Sequence, residues 1–311
     1  MAIHVLDEGA VRRLAPMKKV IAEIRDTLIR IEAGEFETPQ RLQFSGGFGL
    51  AMPVWHRPTR SVVVKTLTVD GSREPRIKGT ISWVGPGEQD PVVVDAASVT
   101  AIRTAAIVGV AADFLAPATV RKAVVFGTGA QGIEQARALL AVRPLTHVVF
   151  VGRNPDRAER AAQTLADETP GLRVDAVTDA RAHLEDADII GCATPSLEPL
   201  FDHRGTKENA FFAAIGSYVP AMHELPQALL AEVGRVYVDE VQACLEEAGE
   251  LIDALAAGTL GLDGIVPLGQ VLRKPAEPVV GRRIFKSVGI APQDWAAMNV
   301  LTKSLAEDGL K

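Results

Sequence analysis

The segment Lys122-Ala123-Val124-Val125-Phe126 runs without a break into Gly127-Thr128-Gly129-Ala130-Gln131-Gly132. A short apolar run, then glycines at this spacing, then an Ala- and Leu-rich stretch from Gln131 to Val142, reads as strand, tight turn and helix. Each glycine has a physical task in that setting. Gly127 permits the turn, Gly129 lets the backbone approach a pyrophosphate, and Gly132 allows the helix to pack closely on the strand. The helix start offers unpaired N–H groups and the positive end of its dipole to phosphate. The segment therefore predicts a dinucleotide cradle made by Gly127, Thr128, Gly129, Ala130, Gln131 and Gly132.

The following strand bears on which dinucleotide. Thr146–Val151 ends in Gly152-Arg153-Asn154, with Arg157 one helical turn further on. A carboxylate at this place would accept hydrogen bonds from an adenosine ribose and repel a 2′-phosphate by about 1–4 kcal/mol at ~4 Å. Its absence, beside guanidinium groups suited to phosphate, favours NADP(H) over NADH, with Arg153, Asn154 and Arg157 as contacts. The alternative is that Arg153 is a solvated loop residue.

Working outward, strands at Leu172–Val177, Asp188–Ala193, Ala210–Ile215 and Arg235–Val238 and a helix at Asp156–Glu168 continue a β-α-β rhythm. That rhythm predicts an α/β fold with a doubly wound parallel sheet of the Rossmann type. The N-terminal third has another texture. Val20, Ile21, Ile24, Leu28 and Ile31 lie at helical spacing within residues 16–33. Short β-rich runs follow at Leu42–Phe44, Gly49–Trp55, Ser61–Val69, Gly79–Val84 and Pro91–Val94, broken by turn signals, as in an antiparallel meander. An Ala-rich helix from Ala97 to about Ala116 leads into Pro117. The expected division is residues 1–119, an α+β domain rejoined by a C-terminal helix at 291–311, and residues 120–290, the Rossmann domain.

Composition sets limits. The chain has 311 residues, with 33 basic and 39 acidic side chains and a formal charge of −6. That mild acidity argues against nucleic acid, whose binding needs clustered Lys and Arg. The most apolar window, Thr104–Val120, is interrupted by Asp113 and Pro117, which argues against a membrane span. Two cysteines, Cys192 and Cys244, lack disulfide-framework or metal-ligand spacing, and six histidines show no metal spacing, so no metal is expected. The N-terminus shows no secretory pattern, and a reducing cytoplasm is the expected setting.

Val99-Thr100-Ala101-Ile102-Arg103-Thr104-Ala105-Ala106, Gly127-Thr128-Gly129-Ala130-Gln131 and Phe285-Lys286-Ser287-Val288-Gly289, in that order, resemble the signatures of the ornithine cyclodeaminase/μ-crystallin family. The resemblance implies that the N-terminal part and the C-terminal helix form a substrate-binding domain that also makes a homodimer. It implies substrate contacts from Arg41, Lys65 and Arg103, with Thr104 and Ser287 near the cofactor. Thr194, just past the strand Asp188–Ala193, joins the cofactor contacts. The chemistry is coherent: an α-imino acid carries a carboxylate that a planar guanidinium grips. Lys65, among valines in Ser61–Val69, either faces solvent from an edge strand or points into a site. Arg103, on an apolar helix, either marks a site or a solvated helix face.

Departures from the cyclodeaminases shape the expected activity. Tyr218 stands where those enzymes have an Asp, and Leu50 where they have a Glu before Met52-Pro53-Val54. Without those acids the repeated proton transfers of cyclodeamination lack their carriers. Reduction of a cyclic imine asks less: hold the carboxylate, present NADPH and donate a proton, for which Lys65 is the candidate. The expected activity is NADPH-dependent reduction of Δ1-pyrroline-2-carboxylate or Δ1-piperideine-2-carboxylate to L-proline or L-pipecolate. Met52, His56 and Tyr218 are expected to shape the pocket, though His56 also fits a surface loop. Glu224 either shapes the site or anchors its loop, and the acids Asp239–Glu247 read as a solvated helix face. Rival readings are an alanine-type amino-acid dehydrogenase, a hydroxyproline dehydratase and a non-catalytic NADPH-dependent binding protein.

Overall fold

The computed structural model describes residues 2–44, 48–72, 77–87, 89–274 and 280–307. The chain forms two units, Met1–Ala106 with Ile290–Lys311, and Ile107–Gly289. The boundary between Ala106 and Ile107 falls inside the helix Ala96–Leu115, ahead of the expected division near Pro117. The last expected helical positions, 308–311, lie outside the described residues.

The first unit is built on a sheet in the order β1-β7-β6-β5-β4-β2, with β3 paired to β4. Its elements are β1 (His4–Leu6), α1 (Glu8–Leu14), α2 (Met17–Glu32), β2 (Phe36–Glu37), β3 (Leu42–Phe44), β4 (Gly49–His56), β5 (Ser61–Val69), β6 (Ile77–Val84), β7 (Val92–Asp95) and α3 (Ala96–Leu115). β4 to β7 form the expected antiparallel meander, and β1 adds in parallel at the β7 edge. On β5 the side chains alternate, so Ser61, Val63, Lys65 and Leu67 share the buried face. The closing helix α11 (Ala291–Glu307) packs on α2 and on β4 and β5. Trp295 anchors it: the indole N–H donates to Ser61 Oγ at 2.8 Å, and the ring lies 4.2 Å from His56 and edge-on to Phe36 at 5.2 Å.

By length and composition α3 is apolar enough to cross a membrane, so Asp113 and Pro117 do not exclude it as the sequence argument supposed. With 89% of its apolar window buried inside the protein, α3 is a core helix.

The second unit carries an eight-stranded, all-parallel sheet among the described residues, in the order β10-β9-β8-β11-β12-β15-β13-β14. The strands are β8 (Lys122–Phe126), β9 (His147–Val151), β10 (Arg173–Val177), β11 (Ile189–Cys192), β12 (Phe211–Ala214), β13 (Val236–Val238), β14 (Ile265–Pro267) and β15 (Arg283–Lys286). The helices are α4 (Ala130–Val142), α5 (Pro155–Glu168), α6 (Arg181–Leu184), α7 (Gln227–Val233), α8 (Val241–Glu247), α9 (Gly249–Ala256) and α10 (Leu268–Val271). Alternate strand residues Val124, Val149, Ile190, Phe212 and Ile284 join Leu184, Leu229, Leu230 and Leu251 in one core. α4 and α5 pack beside β8 to β10. Strand order reverses between β8 and β11, the switch point at which open α/β sheets take ligands.

The close approach expected at Gly132 is present. A Cβ there would sit 2.0 Å from Gly127 O, whereas one at Gly129 would meet nothing within 4 Å. Gly132→Ala is therefore expected to destabilise the protein by about 1–3 kcal/mol through overpacking. Gly129→Ala should leave stability unchanged; thermal melts of the two variants without added ligand check both.

Candidate active site

Two clusters carry the expected site residues, one in each unit. In the first, Lys65 enters from β5 and Arg103 from α3, and both meet Asp294 in the first turn of α11. Lys65 Nζ lies 2.8 Å from Asp294 Oδ2, and Arg103 Nε donates to Oδ1 at 3.1 Å. Arg103 Nη1 also donates to Gln293 Oε1 at 2.6 Å. All three charged side chains are buried, Lys65 at 2% exposure and Asp294 at 1%. Lys65 thus points inward rather than to solvent, and Arg103 is no solvated helix face.

Two cations share the one carboxylate of Asp294 here, so among the described residues of this cluster two positive charges meet one negative charge in a low-dielectric setting. Burial lowers the Lys65 ammonium from 10.5 to about 8; Asp294 opposes the shift, while Arg103 and Arg41 add to it. Arg41, half-buried, belongs to the same positive field. Met52 is buried beside Lys65 in the β4–β5 register. His56 is buried, not on a surface loop. Its Nδ1 lies 2.7 Å from Thr59 Oγ1 and its Nε2 3.2 Å from Glu35, so both ring nitrogens are engaged within the unit. Burial holds His56 below its ordinary value against the pull of Glu35. Thr104 is buried one residue beyond Arg103.

In the second unit the β8–α4 turn has the form that a pyrophosphate requires. Gly127 has φ +116°, and a Cβ there would lie 2.5 Å from Ala193 O. Gly129 caps α4 with no side-chain hydrogen bond to the helix start, and Gly129 and Ala130 are exposed, with Thr128 and Gln131 half-buried beside them. The turn offers open backbone and a helix N-terminus, so the residues present fit a dinucleotide. At the end of β9, Arg153 and Arg157 are exposed. Asn154 caps α5, its Oδ1 accepting from Arg157 N at 2.9 Å. Tyr218 is exposed after β12.

Buried polar groups staple neighbouring strand ends on the same edge of the sheet. Glu224 accepts from Thr194 N and Oγ1 at 2.6 and 3.0 Å, and from Gly216 N and Ser217 N at 2.7 and 3.3 Å. Burial raises its carboxyl above the ordinary range, opposed by Lys286. Lys286 Nζ donates to Ser217 O and Oγ, and Ser217 Oγ donates to Glu250 at 2.8 Å. Asp239 accepts from Ser287 Oγ at 2.6 Å and Gly289 N at 2.9 Å. Ser287 is therefore turned inward, and Asp239 is buried and not part of a solvated face. Among the described residues no group of three His, Cys, Asp or Glu is placed to hold a metal ion.

Asp294 and Gln293 escaped the sequence reading. An acid in the first turn of a helix is ordinarily explained by the helix dipole, which hides a second task. The only available signal was its isolation among Ala291, Pro292, Trp295, Ala296 and Ala297.

Residues 4–309 match the ornithine cyclodeaminase/mu-crystallin family. The chain belongs to it. It is 28% identical over 323 residues to the Delta(1)-pyrroline-2-carboxylate reductase of Bacillus cereus, covering 98% of each chain. It is 32% identical over 213 residues to the iminosuccinate reductase of Paracoccus denitrificans, covering 68% of this chain and 65% of that one. The solved structure of Thermococcus litoralis Delta(1)-pyrroline-2-carboxylate reductase in complex with NADH and L-proline superposes with a TM-score of 0.90 at 24% identity, covering 98% of each chain. At that identity the likeness speaks for the fold.

Burial together with the repulsion of Arg103 and Arg41 outweighs the attraction of Asp294 for the Lys65 ammonium. Lys65→Met is accordingly expected to match or exceed the wild type in thermal midpoint at pH 7. Asp294→Asn, which leaves two buried cations without their carboxylate, should cost about 3–5 kcal/mol. Differential scanning calorimetry of the two variants tests this opposite response.

Proposed function

We propose that this family member uses NADPH to reduce cyclic α-imino acids, Δ1-pyrroline-2-carboxylate or Δ1-piperideine-2-carboxylate, to L-proline or L-pipecolate. At the coarser level the chain is an imine-reducing oxidoreductase acting on CH–NH bonds. The observation that carries the finer reading is the pair of buried cations sharing one carboxylate. A ligand carboxylate completes that charge balance, and the Bacillus cereus relative is named for such an imino acid.

The residues divide the work. Asp294 and Gln293 engage Arg103 Nε and Nη1, which leaves Nη2 facing a substrate carboxylate, with Arg41 adding its charge. The guanidinium grip expected of Arg103 is therefore reduced to a contact through Nη2, because Nε is committed to Asp294 and Nη1 to Gln293. Lys65 Nζ, held by Asp294, is the proton donor to the imine nitrogen. A bound reduced nicotinamide supplies the hydride. Asp294 is not a substitute for the missing cyclodeaminase acids, since both of its oxygens are bound by cations.

Arg153 and Arg157, exposed beyond β9, support NADPH over NADH as the working cofactor. The Thermococcus relative was solved with NADH; the preference for NADPH proposed here is supported by this chain's own Gly152-Arg153-Asn154 end. Homodimer assembly and a cytoplasmic setting complete the proposal; both cysteines are free, buried thiols, in keeping with a reducing compartment.

Steady-state NADPH oxidation with the five- and six-membered imines, and with iminosuccinate as a dicarboxylate control, tests the substrate. Turnover of a cyclic imine is expected, and turnover of none of the three would refute the reading. With Lys65 donating the proton, kcat/KM for reduction should fall as pH rises through about 8. Arg153→Ala should raise the KM for NADPH about tenfold or more, the loss of one charge-assisted phosphate contact, with the KM for NADH unchanged. Equal use of the two cofactors by the wild type would remove the case for Arg153.

A further inference from the structure

We propose that Glu224 is a positioning residue that fixes the nicotinamide end of the cofactor by tying the backbone after β11 to the backbone after β12. The proposal rests on the nicotinamide-dependent reading above and extends it to a residue that touches neither cofactor nor substrate.

Topology places the two ends of the dinucleotide. The pyrophosphate cradle follows β8, and β9, with Arg153 at its end, lies on one side of β8. A dinucleotide lying across the switch point must send its other half toward β11 and β12, on the opposite side. Those are the strand ends that Glu224 joins. Its Oε1 accepts from Thr194 N and Oγ1, and its Oε2 from Gly216 N and Ser217 N. The two backbones touch as well: a Cβ on Gly216 would lie 2.2 Å from Thr194 N and 2.6 Å from Glu224 Oε1. Ser217 is then fixed from behind by Glu250 and Lys286, both fully buried.

Chemistry makes the carboxylate irreplaceable. Each oxygen faces a backbone N–H, so both must be acceptors. An amide has one acceptor and one donor, and whichever way it is turned its NH2 meets an N–H. Glu224→Gln therefore opens one side of the clamp while conserving size.

The test compares dissociation constants of NADPH and of adenosine 2′,5′-bisphosphate, a fragment without nicotinamide, for the full-length wild type and Glu224→Gln. NADPH binding is expected to weaken about 5- to 150-fold, the cost of a buried donor left unmet, and fragment binding to stay unchanged. Unaltered NADPH affinity overturns the proposal. So does equal weakening of both ligands, which would mark a general loosening of the unit. Should Glu224→Gln not fold, Glu224→Asp keeps the charge and both acceptors but withdraws them by one methylene. The same selective loss is expected there, and its absence again overturns the proposal. A wild type that binds neither NADPH nor NADH fails at the cofactor reading itself, and the proposal falls with it.

Discussion

One carboxylate, Asp294, holds two cations in the interior of the first unit, and the chemistry assigned to that unit depends on this ion triplet. It brings the last helix, the long core helix and the central meander strand to a single point. A buried pair of this kind is a poor source of stability, because desolvation consumes most of the Coulombic gain. In the proposed reaction it keeps a lysine and an arginine poised away from water, where their charge is little screened. The surroundings are stiffened by apolar packing, with Trp295 of the last helix, His56 of β4 and Phe36 of β2 in mutual contact.

The second unit solves a different problem by related means. Its parallel strands end in loops that must stay in place to receive a dinucleotide. Apolar packing positions the strands, but at their ends the backbone leaves the ladder and its N–H groups need other partners. Glu224 and Asp239 accept from them within the protein, and Lys286 donates to the carbonyl of Ser217 in the same region. Glycines at 127, 132 and 216 mark the places where two backbones meet too closely for any side chain.

Much of this was legible beforehand. The strand-turn-helix at Lys122–Val142, the meander and the β-α-β rhythm depend on local periodicity and glycine placement, which a sequence displays directly. β1 and α1 were not foreseen, since a three-residue edge strand has too little pattern to detect. In the site, Lys65 and Arg103 stood out as charges in apolar runs. Asp294 lies 191 positions from Arg103, and only the fold brings them together. Asp239 reads from sequence as a solvated acid because its neighbours Glu240, Glu246 and Glu247 suggest an exposed face, yet it is buried. Ser287, 48 positions away, is what reveals it as buried.

Proton donation in the proposed reaction depends on Lys65 being a buried ammonium whose proton is loosened by desolvation and retained in part by Asp294. NMR titration of 13C- and 15N-labelled lysine side chains, with the Lys65 signal assigned by its loss in Lys65→Met, measures this directly. The structure predicts a midpoint of about 8. A midpoint at the ordinary value of 10.5 would contradict it, and with it the assignment of Lys65 as proton donor.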